Sequence, residues 1–399
     1  MKYVILVGDG MGDYPIPELG GKTPLESADI PHMDALSKNG LLGMVQTIPP
    51  GMEAGSDVAN MSIMGYAPSS YHTGRAPLEA ASMGVSLAKN EVAFRMNLLN
   101  LEFINNRVIM IDHSAGNIST EEAHLIIEDL SGLLPLAKNQ KIYPGVSYRH
   151  ILVWPGLNTN LPTLPPHDYR DQDVTDYLNQ EGEIKSLLDL IRASWPLLER
   201  HPVNLKRKAH NLLPANSIWL WGQGHPPTMP TYQERWGLSG AVVSAVDLIK
   251  GLGVYAGLKP INISGATGFI DTDYEAKVKN ALGALENLDL VFLHVEAPDE
   301  ASHQGNLEEK IKAIELFDRR IVGPMRAGLE KRYDFRMLVL CDHFTPISVK
   351  THTSDPVPFI LFPSRQPSNR TYTEKQAQEA GLFLKQGQTL INLLLGMEK

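Results

Sequence analysis

Cysteine is almost absent from this chain. Cys341 stands alone among 399 residues, which excludes an intrachain disulfide and fits a reducing cytoplasm. It follows the apolar run Met337–Leu340 and reads as a small buried hydrophobe rather than a nucleophile. Positive charge is in short supply too. Lys and Arg number 36 against 45 Asp and Glu, a net charge of −9, so neither nucleic acid nor an anionic membrane is an expected partner. The one basic cluster, Lys206, Arg207 and Lys208, is short and reads as a solvated face. No apolar run approaches the length of a membrane span, and the run after Lys2 is too short for a secretion signal. Nucleotide-binding glycine patterns are missing as well. There is no G-x-x-x-x-G-K-[ST]. In VGDGMGD, Asp13 stands where a dinucleotide loop wants its third glycine, and Asp9 would repel a pyrophosphate. An anionic substrate must therefore be held by local cations or by metal.

What is present suits an ordinary globular protein, 43% hydrophobic and 20% charged, long enough for two or three domains. Tyr3–Val7 is a β-rich run fit for a strand buried on both faces. Residues 23–40 read as helical, with Pro31 near a helix start and Gly40 past its end. Residues 274–288 and 307–329 read as helices, 290–295 and 337–341 as strands, an alternation that predicts a mostly parallel sheet with helices on both faces. Residues 86–224 are looser and richer in proline and asparagine, with strand candidates at 107–111, 149–153 and 218–221. They are expected to form an inserted smaller α/β or α+β domain, leaving 1–85 and 225–399 as one discontinuous α/β core.

Each outer strand is followed by metal-type donors. Asp9 follows the first; Asp299 and His303, four apart, follow 290–295; Asp342 and His343 follow 337–341, with His352 nine residues beyond His343. Ligands of open α/β sheets gather at the carboxyl ends of strands, so these groups should converge. Three carboxylates and three imidazoles in one place repel or stand unpaired unless cations lie between them, and two divalent ions would resolve this. Taken singly, Asp299 and His303 read equally well as a helical ion pair. In GMEAGSDVANMSIMGY, Ser56 precedes a helical stretch. It reads either as an N-cap or as a metal-activated alkoxide suited to phosphoryl transfer.

The segments VGDGMGD, TPLESADIPHMDAL, GSDVANMSIMGY, HVEAPDEASHQG and CDHFTP…THTSDP, in this order, resemble the alkaline phosphatase superfamily. Within it they resemble the short, archaeal-type branch of the cofactor-independent phosphoglycerate mutases. The resemblance implies an alkaline-phosphatase-like core with one metal held by Asp9, Ser56, Asp342 and His343 and a second by Asp299, His303 and His352. Manganese is the metal it implies first; zinc, magnesium or cobalt also suit the donor set. Ser56 would accept the phosphoryl group of 3-phosphoglycerate, and the glycerate would turn and take it back on its 2-hydroxyl, with no 2,3-bisphosphoglycerate required. The insert would close over the site and exclude water.

For the substrate's anionic groups the candidates are Arg149, His150, His167 and Arg75, with Asp168 as a base for the glycerate hydroxyl and Lys250 beside the serine and phosphate. Arg149 and Arg75 also read as surface ion-pair residues. Two departures from the longer mutases stand out. DHSAGNIST replaces their D-G-G-V-H-type loop, and WLWGQGHPPTMP lacks their paired arginines. The same metal motifs would serve a homoserine-kinase-like phosphotransferase, a phosphomonoesterase or a non-catalytic metal-binding protein, although the last has no need of an activated Ser56.

Overall fold

The apolar run at the N-terminus forms the strand Lys2–Gly8 in the computed structural model, which describes residues 1–397. Val4, Ile5, Leu6 and Val7 are fully buried, as a strand covered on both faces requires. The strand pairs in parallel with Leu290–Val295 on one side and Phe335–Leu340 on the other. Across this eight-stranded sheet the order is Lys259–Ile261, Gly240–Val243, Leu290–Val295, Lys2–Gly8, Phe335–Leu340, Val357–Phe362, Leu41–Val45 and Phe383–Leu384. Val357–Phe362 runs against both of its neighbours, so the sheet is mostly rather than wholly parallel. The three central strands share one direction, and their carboxyl ends open on one edge.

Local chemistry places the helices. Thr23 and Glu26 close a capping box over Pro24–Ser27, and Pro31 opens Pro31–Asn39, which ends at Gly40. The pattern expected as one helix over 307–329 folds as Leu307–Phe317 and Gly323–Glu330 joined by a π turn, Asp318–Val322. Pro324 offers no N–H to the preceding turn, which favours the irregularity there. The buried Asp318 carboxylate accepts from the N–H groups of His32 (3.1 Å) and Met33 (2.6 Å). It thereby satisfies two orphan donors of a helix that has no side-chain cap of its own. Cys341 is buried just past its strand, and burial pushes its thiol well up, as for an inert core residue.

The chain divides into two compact units, residues 1–72 with those from 228 onward, and residues 73–227. The second is built on an antiparallel sheet. Its long strand Glu91–Ile104 pairs with Arg149–Pro155, Ser217–Gly224 and Arg107–Asp112. Strand alternation sorts its side chains. Val92, Phe94, Met96 and Leu98 face a core shared with helices Thr120–Leu133 and Lys185–Glu199. Truncating Phe94 to alanine would cost about 3–5 kcal/mol through the cavity it leaves. Ala93 lies on the opposite face and packs against Ala76 and Ala80 of helix Ala76–Ser82. That helix, which the sequence reading left with the flanking segments, thus packs on this sheet.

Candidate active site

Asp9 follows Lys2–Gly8, and Asp342 and His343 follow Phe335–Leu340. Asp299 and His303 stand one turn apart on helix Ala297–His303, which follows Leu290–Val295. His352 comes from the loop leading into Val357–Phe362. Their donor atoms fall into two clusters, each with its atoms within 4.8 Å of one another: Asp9, Asp342 and His343, and Asp299, His343 and His352. His343 thus stands in both. His303 joins the second, its Nε2 3.0 Å from Asp299 Oδ2 and 3.0 Å from His352 Nε2. Two imidazole nitrogens so close need a proton or a cation between them.

The electrostatics point the same way. Burial, reinforced by Asp342 and Asp299, pushes the Asp9 carboxyl well above the ordinary range, and its Oδ1 has no hydrogen-bond partner. Burial also pushes Asp299 upward, but the imidazoles of His303 and His352 outweigh it and hold that carboxyl well below the usual range. The bond to Asp299 in turn raises His303 to about 9, against its burial. An orphaned carboxylate oxygen facing converging imidazoles is a donor set that divalent cations satisfy.

Ser56 does not cap its helix. Gly55 occupies the N-cap, no side chain caps there, and Ser56 is the first residue of Ser56–Ile63. Its Oγ lies 3.1 Å from His343 Nε2, against the first cluster. One turn on, fully buried Asn60 donates from Nδ2 to Ser56 O (2.8 Å) and to Asp342 Oδ2 (2.7 Å), tying the start of the helix to that cluster. Lys250, on Asp247–Tyr255, lies 2.7 Å from Asp247 Oδ1, and its helix packs against Ser56–Ile63.

The sequence reading passed over the buried pair behind these loops. Lys310 Nζ donates to Asp13 Oδ2 (2.8 Å), Thr345 O (2.9 Å) and Gly12 O (3.2 Å), so Asp13, in place of a third glycine, anchors the loop that carries Asp9. A cavity of about 930 Å³ opens beside this anchor, lined by Asp13, Phe344 and Glu374 but by none of the clustered donors.

In the second unit, cations gather on the sheet face that carries helix Ala76–Ser82, opposite helices Thr120–Leu133 and Lys185–Glu199. Arg95 lies over the Trp221 ring at 4.1 Å and pairs with Glu79 at 3.0 Å. His167 packs 5.2 Å from Trp221 and 6.3 Å from His113. Burial lowers the His167 imidazole; Asp168, 3.5 Å away, opposes this, while Arg95 and Arg75 add to it. Burial likewise lowers Arg95, with Arg75 and Arg149 adding to the effect, so all three guanidiniums share one field. Arg149 is exposed, as is Asp168. His150 does not join them. The strand turns it to the other face, where it is 1% exposed, accepts from the Gly145 N–H (3.0 Å) and is lowered to about 3 by burial. Arg95, Trp221 and His113 were not foreseen. For Arg95 the signal was in EVAFRMN, where Arg95 and Asn97 interrupt an apolar strand at alternate positions.

Comparison with known proteins adds the family. The family model described as 2,3-bisphosphoglycerate-independent phosphoglycerate mutase matches residues 37–204. A Geobacter sulfurreducens protein described as a probable 2,3-bisphosphoglycerate-independent phosphoglycerate mutase is 50% identical over 99% of this chain and 100% of its own. A Methanothrix thermoacetophila protein described as a 2,3-bisphosphoglycerate-independent phosphoglycerate mutase is also 50% identical, with the same coverage. Among solved structures, a Pyrococcus horikoshii protein superposes with a TM-score of 0.80 at 28% identity, over 100% of this chain and 98% of its own. A cofactor-independent phosphoglycerate mutase from Thermoplasma acidophilum shares the fold, with a TM-score of 0.65 at 23% identity over the whole of both chains.

Proposed function

The chain belongs to the 2,3-bisphosphoglycerate-independent phosphoglycerate mutases, and from that premise we propose that it interconverts 3- and 2-phosphoglycerate through a phosphoserine at Ser56, beside two divalent cations. The observation that carries this reading is the place of the Ser56 hydroxyl, free of any capping role and 3.1 Å from His343 Nε2 where the two donor clusters meet. Asp9, Asp342, His343 and Ser56 would hold one cation, and Asp299, His303 and His352 the other. Manganese suits this mixed nitrogen and oxygen set. Bound there, the cations lower the serine pKa and offset charge on the phosphoryl oxygens.

The chain's own residues then carry out two transfers. Ser56 Oγ forms a bond to phosphorus as the bond from phosphorus to the 3-oxygen of the substrate breaks, and the serine proton passes to that oxygen, leaving glycerate. The glycerate turns, its 2-oxygen attacks the phosphoserine, and the Oγ–P bond breaks. Asp168 takes the 2-hydroxyl proton, which returns to Ser56 Oγ as the serine is released, and Lys250 faces the transferring phosphate. Arg75, Arg95 and Arg149 recognise the carboxylate and hold glycerate through its turn, since guanidinium forks match carboxylates. Residues 73–227 serve as the substrate-binding, water-excluding unit, because a phosphoserine open to water would be hydrolysed. No bisphosphoglycerate primer is needed.

Phosphorus NMR of manganese-loaded protein with 3-phosphoglycerate tests this. The 2-phosphoglycerate resonance should appear without bisphosphoglycerate. Inorganic phosphate alone would identify a phosphatase, and no change would point to another acceptor, with homoserine and a nucleotide tried next.

A further inference from the structure

The two donor clusters meet at a second place, on the far side of the His343 ring from Ser56. Thr345 is fully buried, and its Oγ1 lies 2.5 Å from Asp299 Oδ1 and 3.2 Å from His343 Nδ1. A hydroxyl has one hydrogen to give. At 2.5 Å from a carboxylate oxygen that hydrogen goes to Asp299, so toward His343 the hydroxyl oxygen can only accept. His343 must then carry its proton on Nδ1, which leaves the Nε2 lone pair turned toward Asp9 Oδ1 (3.3 Å) and Ser56 Oγ (3.1 Å).

The surroundings give Thr345 no other arrangement. Its N–H donates to Gly12 O (3.2 Å), and its carbonyl accepts from the buried Lys310 Nζ (2.9 Å), so the backbone is held from two sides. The first loop yields room for the hydroxyl at Gly10, where a Cβ would come within 2.6 Å of Thr345 Oγ1 and 2.7 Å of Asp299 Oδ1. Gly10 also has φ +62°, a conformation that glycine adopts without strain.

We infer that Thr345 is a positioning residue whose single hydroxyl couples the two donor clusters, fixing the His343 tautomer on one side and the Asp299 carboxylate on the other. This rests on the dinuclear reading above. Outer partners of this kind orient metal-binding imidazoles and carboxylates, and their loss typically weakens metal affinity about 10–100-fold. Here one side chain would serve two centres, so its loss should weaken both bound ions together.

The test compares Thr345→Val, which keeps the shape and removes the hydroxyl, with Thr345→Ser, which keeps the hydroxyl. Calorimetric titration of manganese into metal-free protein should show two ions on the wild type and on Thr345→Ser, with affinities within about threefold of each other. Thr345→Val should weaken both by about tenfold or more. Equal affinities in all three proteins would overturn the inference, as would a loss confined to one ion. The second readout needs no metal. Long-range proton–nitrogen NMR spectra of metal-free protein with isotope-labelled histidine should show His343 protonated on Nδ1 in the wild type and in Thr345→Ser. The opposite tautomer would overturn the inference even if Thr345→Val failed to fold. Should the wild type bind no manganese, the dinuclear reading falls, and the tautomer alone decides the role of Thr345.

Discussion

The larger unit gathers its ionisable groups at the ends of parallel strands, where each carboxylate or imidazole leans on the next. The smaller unit spreads its groups over and beside one face of an antiparallel sheet, where Arg149 and Asp168 reach solvent. In the first arrangement the groups are mutually dependent, and Asp9, Asp299, Asp342 and His343 are buried. Asp342 alone is engaged by Asn60, by the backbone N–H of His343 in its own loop and by that of Gly10 in the loop carrying Asp9. In the second, each cation adds its own share of field. Substitutions at the strand ends should therefore abolish the chemistry, and those on the sheet face should grade it.

The largest effect should come from Ser56→Ala. Loss of the nucleophile should reduce turnover by ~10⁴-fold or more in a phosphorus NMR time course while two manganese ions still bind by calorimetry. Substantial turnover by this variant would rule out the covalent route. A smaller but measurable effect concerns stability in the larger unit, where Glu374 is buried and burial raises its carboxyl from 4.5 to about 7. A carboxyl raised in the folded state favours folding below its unfolded pKa. That contribution is lost as pH climbs from about 4.5 through 7. Glu374→Gln cannot ionise, so it should gain up to about 3 kcal/mol over the wild type at alkaline pH and nothing at pH 4 in urea unfolding. A gain that did not change with pH would refute the buried neutral carboxyl.

Smaller losses belong to the sheet face. Arg95→Ala and Arg149→Ala should each lower kcat/KM for phosphoglycerate by about 10–100-fold, the worth of a charge-assisted hydrogen bond. Manganese affinity should stay unchanged. Weakened metal binding in either would erase the division between the units. The smallest effect should be next door on the same strand, where His150→Leu should leave kcat/KM within about twofold because that side chain faces the core. A loss matching that of Arg149→Ala would put His150 back among the substrate contacts.

Legibility in the sequence followed the same division. Donors at strand ends announce themselves, because an apolar run stopping at Asp9, or at Asp342 and His343, fixes both the element and the edge it serves. The expected convergence of Asp9, Asp299, His303, Asp342, His343 and His352 needed only the parallel sheet. The supports behind it were not readable. Asp13 and Lys310 are 297 residues apart, and Thr345 and Asp299 are 46 apart, so their pairing exists only once the strands have taken their order. In the inserted unit, naming Arg149 and His150 together overlooked the period of two, which sends neighbours to opposite faces. Applied to residues 91–97, the same period would have picked out Arg95. The π turn at Asp318–Val322 shows a subtler limit, since an apolar helical pattern continues unbroken through a change of hydrogen-bond register.

The central claim is that the phosphoryl group rests on Ser56 during turnover. The most direct measurement is an acid quench of the manganese-loaded protein mixed with 3-phosphoglycerate, followed by peptide mass mapping. A phosphate adduct should be confined to the peptide carrying Ser56, absent without substrate and absent in Ser56→Ala. Formation of 2-phosphoglycerate with no adduct at any quench time, or an adduct on another residue, would contradict it.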